Sequence, residues 1–130
     1  MKRNHTVALT LLTLLVFTAA ALLLGGVRQQ SFSGRRVKKT DAYLLEARKM
    51  NGTDLHTLEL EKGDTLYIRL ETEKGSLDME VKAPDGTPLY RGNGRESTDL
   101  ALNIPQSGLY KIAVEGRHAK GSVRVGHSQA

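Results

Sequence analysis

The residues of this 130-residue chain best suited to chemistry are four histidines, two closely spaced carboxylates and a series of glycine-bearing loops. His5, His56, His118 and His127 do not show the four-residue spacing that sets two imidazoles on one helix face around a metal. A meeting of His118 and His127 across a last turn is the one route to a weak metal site, against a plainer reading as exposed loop and tail residues. Asp78 and Glu80 stand two apart, on one face of a strand, as a pair for acid–base work would. Lys82 continues the same face, however, so the row reads as a solvated strand surface. Cysteine is absent, which excludes a thiolate zinc site, a disulfide framework and a cysteine nucleophile. No Gly-x-Ser-x-Gly elbow occurs. "RGNGR" lies between strand-like segments and reads as a hairpin loop rather than a phosphate cradle. "NGT" at Asn51 has the form of a glycosylation acceptor, but a turn accounts for it. The sequence therefore assigns no catalytic, cofactor-binding or metal-binding residue, and the chain is expected not to be an enzyme.

The elements that position these residues alternate with period two. "TLYIRLE" aligns Leu66, Ile68 and Leu70. "SLDMEVK" aligns Leu77, Met79 and Val81 opposite Asp78, Glu80 and Lys82. "DLALNI", "LYKIAVE" and "SVRV" repeat the pattern, and "AYLLEA" and "HTLEL" add two more segments. Such alternation marks strands with one buried and one wet face. Turn signals separate them: "MNGTD", "EKGD", "TEKGS", "APDGTP", "RGNGRES", "PQSG" and "RHAKGS". In "APDGTP", Pro84 presets φ, Asp85 bonds its neighbouring backbone, Gly86 takes positive φ, and Pro88 confines the next strand to a sheet edge. The expected fold is all-β, an antiparallel β-sandwich of jelly-roll type with about eight strands.

The net charge of +5 is unevenly distributed. Residues 1–50 hold nine basic and two acidic side chains, and residues 51–130 hold ten and twelve. A nucleic-acid binder should carry its basic patch on the folded part, so nucleic acid is not expected as a partner. Tryptophan is absent and aromatics are 5% of the chain, which leaves few stacking platforms for sugars or bases. Residues 1–27 open with Lys2 and Arg3 and continue as an uncharged run from Thr6, long enough for a helix of about 33 Å. This segment is expected to be either a secretory signal peptide or a transmembrane anchor that holds the protein at the membrane. Its leader-like layout argues for export of the rest of the chain, while the basic flank after it argues for the opposite orientation. Residues 28–40 are expected to form a basic flexible linker. There Arg28, Arg35, Arg36, Lys38 and Lys39 either contact anionic lipid or wall polymer or simply stay solvated. Residues 41–127 form the expected β-domain, with 128–130 as a tail.

Two stretches, "HTLELEKGDTLYIRLETEKGSLDMEVKAPDGTPLY" and "STDLALNIPQSGLYKIAVEGRHAKGSVRV", resemble the bacterial pre-peptidase C-terminal β-sandwich domain. The shared grammar is "KGD" before a strand, "G-x-L-D" leading into "PDG", then "SGLYKIAVEG" and a closing "GS" strand. The chain is also similar to small exported bacterial proteins with the same turns. The resemblance covers residues 42–126 and rests on turn and core positions. It implies a non-catalytic accessory domain of secreted enzymes. The expected function is a binding or interaction module at the cell envelope, extracytoplasmic and either membrane-anchored or secreted. The alternative is a structural or assembly partner of a membrane protein complex.

Overall fold

The computed structural model describes residues 30–93 and 97–127. The expected N-terminal hydrophobic segment, the tail and the centre of the "RGNGRES" loop lie outside them. Among the described residues there are six strands, all antiparallel to their neighbours, and no helix long and apolar enough to cross a membrane. They are β1 (Ser31–Lys38), β2 (Ala42–Leu60), β3 (Thr65–Lys82), β4 (Pro88–Gly92), β5 (Thr98–Asn103) and β6 (Gly108–Gly126).

Six strands replace the expected eight or so because three pairs of expected strands are continuous. "AYLLEA" and "HTLEL" are the two halves of β2. "TLYIRLE" and "SLDMEVK" are the halves of β3, and "LYKIAVE" and "SVRV" the halves of β6. What separates the halves is a β-bulge rather than a turn, seen as register shifts at residues 47–52 of β2 and 72–76 of β3. A bulge inserts residues into one strand and so reverses which side chains face the core. The burial pattern shows this reversal. In β2, Tyr43, Leu45 and Ala47 are buried before the bulge, then Leu58 and Leu60 after it. In β3, Leu66, Ile68 and Leu70 give way to Leu77, Met79 and Val81. In β6, Tyr110, Ile112 and Val114 give way to Ala119, Val123 and Val125. Without the phase change, half of each long strand would turn its apolar row into water.

The bulges divide the sheet into two wings. Wing 1 runs β1, β2 (42–50), β6 (119–126), β3 (65–72) and β5. Wing 2 runs β2 (52–60), β6 (108–116), β3 (76–82) and β4. Both wings contribute to one apolar cluster of buried side chains. Gly75 takes φ of 63° at the β3 bulge and His118 takes φ of 47° opposite it in β6. The Asn51 side chain accepts the His118 amide hydrogen at 2.8 Å, which gives the "NGT" segment its structural use. "APDGTP" is a true turn. Gly86 N–H donates to the Ala83 carbonyl at 2.9 Å and Thr87 N–H to Asp85 Oδ1 at 3.0 Å, and β4 follows at the sheet edge.

Within the segment expected as a linker, whose Arg28 lies outside the described residues, Ser31–Lys38 form β1, which pairs with β2 from Lys38↔Tyr43 to Ser31↔Asn51. Most of its side chains are exposed, so its composition shows none of the apolar rows that betray the other strands. Its backbone is held by ladder hydrogen bonds, which leave no trace in composition.

Candidate functional site

The basic residues of β1 divide between two faces. Arg36 and Lys38 serve the one buried carboxylate among the described residues, Asp54. Lys38 Nζ lies 3.1 Å from Asp54 Oδ1 and also donates to the Leu55 carbonyl at 2.9 Å. Arg36 Nε is 3.7 Å from the same carboxylate oxygen. Tyr43 donates its hydroxyl to Asp54 Oδ2 at 2.5 Å. Burial first, and the Asp54 carboxylate second, push the Tyr43 phenol far above its ordinary value, so it stays protonated. His56 stacks on Tyr43 with centroids 5.5 Å apart, and the Arg36 guanidinium lies 3.8 Å above the Phe32 ring. This cluster pins the edge strand to wing 2. Its cations are occupied.

Arg35 of β1, and Lys39 just after it, face elsewhere. They line a groove of about 670 Å³ on the outer face of wing 1, together with Arg69, Arg124, Asp41, Asp99 and His127. The register places its central row. Val37 is opposite Leu44, Leu44 opposite Arg124, Arg124 opposite Arg69, and Arg69 opposite Asp99. Like charges directly across a strand pair repel. Arg69 is offset by Glu71 at 3.3 Å and Asp99 at 3.8 Å. Arg35, Lys39 and Arg124 form no salt bridge with any described residue. Counting the lining side chains with His127 neutral, the groove keeps two positive charges in excess. Its floor is apolar: Val37, Leu44 and Ala42, with half-buried Tyr67.

The groove has a titratable rim. His127 Nε2 lies 2.7 Å from Asp41 Oδ2 and joins the end of β6 to the start of β2. This hydrogen bond raises the His127 pKa and lowers that of Asp41. His118 and His127, weighed as a weak metal site against a plainer reading as loop and tail residues, do not meet. His118 lies in β6 and His127 one residue beyond its end, nine residues apart along extended chain, or about 30 Å. Among the described residues no group of three or more potential ligands could hold a metal ion.

Wing 2 carries a second groove, lined by Asp78, Glu80, Glu115, Tyr90 and Arg91 among others. Glu80 is engaged by Arg91 at 2.6 Å and Lys82 at 3.3 Å. Partial desolvation pushes its carboxyl up, but these bonds prevail and hold it below its ordinary value, which suits a fixed anion and not a proton donor. Asp78 stands directly opposite Glu115. Asp78 and Glu80 are noticeable in the sequence, but the wing 1 row is not, because Arg69 and Arg124 become neighbours only through strand register.

No family model and no curated protein sequence matches the chain, so the pre-peptidase C-terminal resemblance gains no support there. Among solved structures, the chain is similar to PliG of Aeromonas hydrophila, a periplasmic lysozyme inhibitor of g-type lysozyme. The identity is 20%, over 71% of this chain and 90% of that one, with a TM-score of 0.49. PliG of Salmonella Typhimurium is 18% identical over 69% and 94%, with a TM-score of 0.43. TmCBM61, solved in complex with beta-1,4-galactotriose, is 14% identical over 71% and 65%, with a TM-score of 0.34. These likenesses are too distant to carry a role from one protein to another.

Proposed function

We propose that the protein is a non-catalytic binding module of the cell envelope, exported by its N-terminal segment, with its two wings closing on one core as a β-sandwich. The observation that carries this reading is the wing 1 groove. Three cations that form no salt bridge among the described residues, Arg35, Lys39 and Arg124, line a groove with an apolar floor. Other strand cations, such as Lys74 and Lys111, also form no salt bridge among the described residues, but they do not line this groove. Cations left over in a concave site attract an anionic ligand. The wall-polymer or lipid contact expected of the basic segment is thereby assigned to Arg35 and Lys39 with Arg124, and not to Arg36 and Lys38.

The alternative role as a partner in a membrane protein complex draws on wing 2, where Leu55 is 66% exposed beside the acidic groove. Two measurements separate the readings. Protease added to intact cells should cleave a C-terminally tagged protein; protection until lysis would refute export. Isolated envelope material should retain the purified protein at low salt and release it at moderate salt. Salt-resistant co-purification of one membrane protein, without retention by envelope material, would favour the complex.

A further inference from the structure

The groove of wing 1 says more about its occupant than its sign of charge, and the inference it supports rests on the anion-binding reading above and narrows it. Three features matter. The first is spacing. Arg35 on β1 and Arg124 on β6 are two strands apart, and Asp99 on β5 is two strands beyond Arg124. At about 4.8 Å between strands, cationic and acceptor groups recur roughly every 5–10 Å across the sheet. That is the scale of one or two sugar units in a chain laid across the strands. The second is the mixture of charges. Asp99 and Asp41 have side chains 73% and 50% exposed on the same groove. Carboxylates repel a bare polyanion or a sheet of lipid phosphates, but they accept hydrogen bonds from sugar hydroxyls. The third is the ring. Tyr43 also borders this groove but is 1% exposed, with its hydroxyl on Asp54, whereas Tyr67 is half-buried there and offers its ring. Its cross-strand neighbours on the outer face are Gly126 and Ala101, both small, so no bulky side chain flanks it in that row.

We infer that the wing 1 groove binds a carboxylate-bearing polysaccharide, with Arg35 and Arg124 holding its carboxylates and Tyr67 supporting a sugar face. Arginine suits this role because its planar fork bonds a carboxylate through two parallel N–H groups. A half-buried ring packs against the apolar face of a pyranose. A planar membrane surface would meet the rim of such a groove and not its floor. That is why the polymer is favoured over anionic lipid.

The test uses the full chain in a neutral detergent and four probes: polygalacturonate, neutral dextran, polyglutamate and phosphatidylglycerol vesicles. The expected result is that polygalacturonate binds best, at least about tenfold tighter than polyglutamate, with no binding to dextran. Arg35→Ser and Arg124→Ser should each weaken binding of polygalacturonate by about tenfold, the loss of one charge-assisted contact. Tyr67→Leu should weaken it by a similar factor, and Tyr67→Phe should restore it. Circular dichroism on each variant guards against loss of the fold. Equal binding of polygalacturonate and polyglutamate, both lost in Arg124→Ser and both indifferent to Tyr67→Leu, would overturn the sugar inference and leave the anionic groove standing. Tighter binding to the vesicles would overturn it in favour of lipid. Binding indifferent to both arginines would overturn the groove itself.

Discussion

Replacing Lys38 by methionine separates the two tasks of β1. The change keeps most of the side-chain stem and removes the ammonium 3.1 Å from Asp54. Breaking a fully buried ion pair costs about 3–5 kcal/mol because a charge is stranded. Here the Lys38 side chain is 38% exposed and Arg36 remains 3.7 Å from the carboxylate, so water and the second cation reduce the loss. About 1–2 kcal/mol remains after that screening. The hydrogen bond to the Leu55 carbonyl adds about 0.5 kcal/mol. The expected destabilisation is therefore about 1.5–2.5 kcal/mol. For a fold of this size, that lowers Tm by roughly 6–20 °C. Arg35→Met, three positions earlier in the same strand, removes no ion pair among the described residues and should fall within about 0.5 kcal/mol of the parent. Urea unfolding followed by circular dichroism reads both. If residues 28–40 were a linker, neither change would matter. A neutral Lys38→Met, or an Arg35→Met as damaging as Lys38→Met, would refute the assignment of these side chains.

Other substitutions probe the bulges, the buried cluster and the groove rim. Tyr43→Phe deletes the hydroxyl bonded to Asp54 and should cost about 1.5–3 kcal/mol, measured in the same unfolding experiment. Gly75→Ala should cost more than about 3 kcal/mol, because an added Cβ at φ of 63° runs into the carbonyl oxygens of Arg117 and His118. Gly86→Ala, with φ of 89° but nothing within 4 Å, should cost only the backbone strain of about 1–2 kcal/mol. Equal costs would mean that the β3 bulge is not a tight crossing. The His127–Asp41 latch gives a pH dependence. The His127 contribution is complete below the ordinary histidine pKa of about 6.5 and is lost as pH rises through its raised folded value. The Asp41 contribution is present above the ordinary value of about 3.9 and is lost as pH falls through its lowered one. Rising pH also uncovers the Asp41 charge at the groove, so polygalacturonate binding should weaken as pH rises through the raised His127 value. His127→Gln should flatten that profile, and an unchanged profile would rule the latch out.

The apolar rows that build the core are legible in the sequence, and so are the "EKGD", "APDGTP" and "PQSG" turns. The bulges are not separable from turns at that level. A glycine or asparagine at positive φ satisfies either, and only the pairing of distant strands decides between them. The change of phase within each long strand is visible as two rows of opposite parity, and it looks the same whether the chain turns or bulges. β1 escapes notice because an edge strand with exposed side chains has the composition of a spacer. The functional row escapes for a related reason. Arg124 and Arg69 are 55 residues apart in the chain and adjacent only by register. Arg36 and Arg35 are adjacent in the chain, but Arg36 pairs with Asp54 whereas Arg35 lines the outer groove.

The most direct test of the wing 1 groove compares four single substitutions, at Arg35, Arg124, Arg36 and Lys38, for retention by isolated envelope material at low salt. Arg35→Ser and Arg124→Ser should lose retention while keeping stability. Arg36→Met and Lys38→Met should lose stability but, below their melting temperatures, be retained like the parent. Retention that falls equally in all four would show that the basic segment acts by bulk charge, and would contradict a binding groove on wing 1.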